Sequence, residues 1–160
     1  MKHNIFRIIV LILVLSFMAF AQGTPKLELT VVDTKVNMSQ AEKEGKAQIS
    51  YKPGDIIRYT IIASNIGNGV LNNPLITDPI PKGLSYKPYS AKGAYAEITY
   101  SVNEGRLFQL WPPTYKVMGE NGEIITKPAS PDMITHVRWE LTKPLAPNES
   151  QQLEFEVIVK

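Results

Sequence analysis

Cysteine is absent from this 160-residue chain, and histidine occurs only as His3 and His136. Without cysteine there is no disulfide, no thiol nucleophile and no thiolate ligand for zinc. The lipid anchor of a bacterial lipoprotein, which needs a cysteine just after the apolar leader, is excluded as well. Charge of one sign is also lacking. Lys2 and Arg7 are two of seventeen basic residues, and the fifteen that remain equal the fifteen acidic ones. So balanced a surface carries no electrostatic footprint for nucleic acid or anionic lipid. Long apolar runs are missing apart from Ile8 to Phe20, which falls short of the roughly 20 residues of a spanning helix.

That single run reads as an address. Lys2 and Arg7 precede it and Ala19-Phe20-Ala21 follows it, the order of a cleavable export signal over residues 1–21. The expected product is exported to the periplasm, cell surface or medium, is not a lipoprotein, and keeps no stable membrane span after cleavage. Its length suits one domain with a substantial core.

Beyond residue 21 the chain reads as strands and turns. Leu27, Leu29 and Val31 alternate with Glu28 and Thr30, and Met38 to Lys46 is a polar loop or one helical turn. Ile57, Tyr59, Ile61 and Ala63 share one strand face, after a Pro53-Gly54 pair suited to a type II turn. Leu75 to Asp78 makes a short strand, and Pro79 to Gly83 a corner between sheets, because prolines remove ladder donors. Leu84 to Tyr89 is extended; further strands are expected at Ile98 to Val102 and Arg106 to Leu110, with a hairpin tip at Gly119 to Gly122. Val137, Trp139 and Leu141 alternate with His136 and Arg138, and Leu153, Phe155, Val157 and Val159 alternate with Gln152, Glu154 and Glu156. No segment carries a helical apolar stripe. The expected fold is an all-β sandwich of seven to nine mostly antiparallel strands.

The frame Tyr51-Lys-Pro-Gly-Asp55, Asn65-x-Gly67, Thr77-Asp78-x-Ile-Pro81-x-Gly83-Leu84, with Val137-Arg-Trp139 and Leu145-Ala-Pro147-Asn148-Glu149-Ser150 behind it, resembles a bacterial surface-repeat domain, domain of unknown function 11. The resemblance covers roughly residues 49–160 and implies an immunoglobulin-like sandwich with no assigned chemistry. Residues 22–48 then add an N-terminal strand and a polar loop to the same domain. Asn148 stands where that family usually has glycine, there is one copy in place of an array, and residues 91–130 form an aromatic-rich insertion.

Catalysis has little to work with. His136 lies mid-strand on the face opposite Trp139, and no local motif presents a nucleophilic serine to it. Asp33, Asp55, Asp78 and Asp132 are oxygen donors for calcium, but they do not cluster as an EF-hand loop requires, and Asp78 is expected to hydrogen-bond turn backbone. No cofactor is implied. The expected role is non-catalytic contact with an envelope or extracellular protein, or a structural piece of the envelope. Strand addition is one route, with Gln151 to Lys160 read as an exchangeable terminal strand. The alternative is polysaccharide binding on exposed rings of the insertion, Trp111 and Tyr115 with Tyr95 and Tyr100.

Overall fold

The computed structural model describes residues 23–160, so the expected export signal lies outside the described residues. Ten strands are present among them: β1 (Leu27–Lys35), β2 (Ile56–Asn65), β3 (Leu75–Pro79), β4 (Leu84–Tyr86), β5 (Lys92–Gly93), β6 (Ala96–Ser101), β7 (Thr114–Met118), β8 (Ile124–Pro128), β9 (His136–Leu141) and β10 (Ser150–Val159). One sheet has the order β1-β2-β10-β4, with β5 also on β10; the second is β3-β9-β6; β7 and β8 form a separate hairpin. Every pairing is antiparallel. The fold is an all-β sandwich carrying an added hairpin, and β5, only two residues long, accounts for part of the excess over the expected strand count.

The core follows the period-two pattern. Ile57, Ile61 and Ala63 of β2 and Leu153, Phe155 and Val157 of β10 face Ile76, Val137, Trp139 and Leu141 of the second sheet, all buried. Trp139 is fully enclosed, its ring centroid 5.9 Å from that of Phe155, and its indole N–H donates to the Lys92 carbonyl at 3.1 Å. Each such large side chain contributes roughly 2–3 kcal/mol through the area it removes from water. The corner at Pro79 does carry the chain between sheets, from β3 to β4.

Two readings of the sequence are corrected. Arg106 to Leu110 is not a strand: Gln109 alone bridges to Tyr100, because the chain must turn into Trp111-Pro112-Pro113. The last strand is not exchangeable. β10 pairs with β2 on one side and with β4 and β5 on the other, and Leu153, Phe155, Glu156 and Val157 are buried. Its apolar alternation makes it central, whatever its place in the chain.

Polar hubs hold the ends of the sandwich, in the absence of disulfides. Asn65 is fully buried; its amide donates to the carbonyls of Gly69 (2.7 Å) and Leu145 (2.9 Å), and its oxygen accepts from Gly67 N–H at 3.1 Å. The chain at 23–25 runs so close that a Cβ on Gly67 would collide with the Thr24 carbonyl. That contact explains the Asn-x-Gly spacing. At the opposite end Lys35, its side chain 6% exposed, reaches Glu42 Oε1 at 3.1 Å, Asp55 Oδ2 at 3.0 Å and the Ser50 carbonyl at 2.7 Å. Glu42 also closes a capping box with Ser39 on a single helical turn, Gln40–Lys43. Asp55 accepts from Lys52 N–H (2.8 Å) and from Asn37 (3.0 Å), while Gly54, at φ 89°, makes the type II turn that delivers it.

The Ser39 N–H and hydroxyl, then Lys35, hold the Glu42 carboxyl down to about 2 from its ordinary 4.5. A depressed carboxylate stabilises the fold fully above the ordinary value and ceases to do so as pH falls through the depressed one. The melting temperature is therefore expected to drop between pH 4.5 and about 2. Glu42→Gln should melt lower at pH 6 and show a shallower drop across that window. Parallel curves for the two proteins would refute the assignment.

Candidate binding surface

The aromatic residues singled out in the sequence do not share a face. Tyr100 is buried on β6, its hydroxyl 3.1 Å from that of Tyr86, which donates to it. Desolvation pushes the Tyr100 phenol far above its ordinary value. Trp111 is partly buried and packs on three tyrosines, with centroid separations of 5.2 Å to Tyr100 and 5.5 Å to Tyr86 and Tyr89. Only Tyr89, 78% exposed at φ 60°, covers it from outside. Tyr95 is exposed at the other end of β6, with the Lys143 ammonium 6.0 Å above its ring. Tyr115 lies half-buried on the hairpin. Trp111 and Tyr100 therefore extend the core, because both rings pack on the fully buried Tyr86. A flat platform of Trp111, Tyr115, Tyr95 and Tyr100 is not formed.

His136 occupies the outer face of β9, partly buried. Its Nδ1 lies 3.1 Å from Thr135 Oγ1, and Gly105 packs against its ring. Ser101, opposite it in the ladder, donates its hydroxyl to Asn103 at 2.9 Å and accepts from the N–H groups of Asn103 and Gly105. That hydroxyl caps a turn and is not aimed at the imidazole. Among the described residues no group of three or more His, Asp or Glu side chains is placed to hold a metal.

Asp78 corrects an expectation. Its strand position puts it on the inner face of β3 beside Ile76, where its buried Oδ2 has no hydrogen-bond partner. It caps no turn. Burial pushes its carboxyl above the ordinary 3.8, with the charge of His136 opposing. An inward carboxylate on a sheet edge costs stability once ionised and discourages strand docking there.

The surface that stands out is the free edge of β1. Val36 N–H donates to Ile56 C=O and Ile66 N–H to Lys26 C=O, both at 2.8 Å, which sets the ladder parity. The even-numbered residues of β1 thus bond β2, and the N–H and C=O groups of Leu29, Val31 and Asp33 point outward. No strand among the described residues pairs with that side. Leu29 and Val31 align with the buried Ala63 and Ile61, so they belong to the inner face, yet they are 44% and 49% exposed. The second sheet has three strands and does not reach over them. Val32, on the outer face, is 53% exposed. Sequence alternation marked the strand, but only the unequal widths of the sheets reveal that its inner face is open. A second exposed feature is the hairpin, where Met118 and Ile124 pair near the tip at 79% and 69% exposure.

No family model matches this chain, and neither a curated protein nor a solved structure does.

Two measurements follow. Trp111→Ala should destabilise the protein by about 3 kcal/mol in urea unfolding, as loss of a packed ring does; an unchanged midpoint would return Trp111 to the surface. Asp78→Asn should raise the melting temperature at pH 7. A carboxyl whose folded pKa is raised favours the fold below its ordinary value and loses that advantage as pH rises, so the gain should vanish near pH 3. A gain of equal size at both pH values would show that charge is not the cause.

Proposed function

We propose that this chain is an exported, non-catalytic, immunoglobulin-like module that acts by protein–protein contact in the envelope or outside the cell. The observation that carries the proposal is the nine-residue β1 edge, with free backbone groups beside exposed Leu29 and Val31. An extended partner strand gains main-chain hydrogen bonds there, and its alternate side chains cover the two apolar residues. The order of Asp55, Asn65, Asp78 and Gly83 motifs, which resembles the surface-repeat domain, supports the same reading. So does the leader-like start of the sequence.

The test is capture from detergent-solubilised envelope of the source cells, using residues 22–160 as bait beside a Val31→Lys bait. Val31 is half exposed, so the lysine should leave each copy folded, as circular dichroism would show, while placing a charge on the edge. A specific protein, including the chain itself, held by the first bait and lost from the second supports the reading. Equal retention by both baits would overturn the β1 edge as the contact.

A further inference from the structure

We propose that the occupant of the β1 edge is β1 of a second copy, paired antiparallel about a two-fold axis at Thr30. This rests on the reading of that edge as the contact surface and names its partner. Two five-stranded sheets then join into one continuous sheet.

The parity of the ladder allows it. Leu29 and Val31 both present outward backbone groups, so Leu29 of one copy and Val31 of the other form a hydrogen-bonded pair, and the two-fold repeats it. Both exposed inner-face side chains then lie against each other, each covering apolar area that the second sheet leaves open. On the outer face Thr30 meets Thr30, a favourable cross-strand pair. Apolar cover selects the register, because only an axis at Thr30 sets the exposed Leu29 directly against the exposed Val31, and charge excludes two of the alternatives. An axis at Glu28 sets two glutamates directly opposite one another, and an axis at Asp33 does the same with two aspartates; an axis at Thr30 opposes no like charges, since Glu28 meets Val32 and Lys26 meets Thr34. The balance of acidic and basic residues beyond residue 21 adds no long-range repulsion between copies.

The arrangement also closes. An isologous contact consumes the same edge on both copies and leaves no equivalent edge for a third. At the far side of the sheet β4 and β5 offer only three and two residues.

The absence of native cysteine makes the register directly readable. Thr30→Cys puts two thiols at a non-hydrogen-bonded pair, where the Cα atoms are about 4.5 Å apart, within disulfide reach. Glu28→Cys and Val32→Cys serve as controls, because each copy's thiol would lie about 13 Å from its mate. With the oxidant diamide, dilute Thr30→Cys protein should convert to a disulfide dimer while the two controls stay monomeric. Unmodified protein should show twice the monomer mass by light scattering, and Val31→Pro, which removes an outward N–H only, should halve it without loss of fold. Faster cross-linking at position 28 or 32 overturns the register. A monomer at all concentrations with no cross-link overturns the second copy as occupant. If the Val31→Lys bait still loses an envelope protein in that case, the edge remains a contact site for a different chain.

Discussion

The structure depends on a mismatch of widths: a five-stranded sheet packed against a three-stranded one. Inner-face residues of β2 and β10 are covered because β3, β9 and β6 lie over them, and the apolar contacts among these strands hold the domain. A strand outside that footprint keeps the alternation of a core strand without its burial. β1 is that strand. Leu29 and Val31 continue the rows of Ala63 and Ile61 across the sheet, yet roughly half their surface meets water. The same mismatch makes β1 cohere with the fold through backbone hydrogen bonds more than through packing, so its two ends need other restraints.

Those restraints are polar and local, as a chain without cysteine requires. Asn65, at the end of β2, accepts from Lys26 N–H just before β1 and donates to Gly69 and Leu145, and Lys35 fastens the end of β1 to Glu42 and Asp55. On the outer face Glu156 takes Arg58 Nη2 and Lys87 Nζ, each at 2.6 Å, tying β10 to β2 and to the segment after β4. A buried hydrogen-bonded group contributes less through its net bond energy than through the penalty of breaking it. Such hubs therefore specify where strands end, while the apolar rows decide which strands pair.

What the sequence disclosed divides along that line. Period-two alternation identified β2, β9 and β10 and placed Trp139 in the core, because each of those strands buries one face and alternation reports burial directly. Turn chemistry was equally legible: Pro53-Gly54 forms its type II turn, and Asn148 takes φ 65°, as the resemblance had suggested for a glycine position. Three things were not legible. The centrality of β10 depends on partners more than fifty residues away. The inward packing of Trp111 and Tyr100 depends on Tyr86 arriving from the other sheet. The exposure of Leu29 and Val31 depends on what the second sheet fails to cover. Each is a property of sheet order, which local patterns do not encode.

The edges of this molecule are treated unequally, and the inequality is informative. β3 is only five residues long, ends in Pro79 and turns a carboxylate inward at Asp78. The free side of β6 is bridged by Gln109 through two backbone hydrogen bonds to Tyr100, at 2.8 and 2.9 Å. β4 and β5 are too short to template a strand. Each device is one by which sheet proteins blunt their edges. β1 has none of them along Leu29 to Val32, and its one lysine, Lys35, is spent in the buried hub. A long apolar edge left open beside three closed ones would expose the monomer to indiscriminate association. That liability disappears when one defined strand occupies the edge, which is why the open edge, more than any aromatic residue, is the surface we propose for contact.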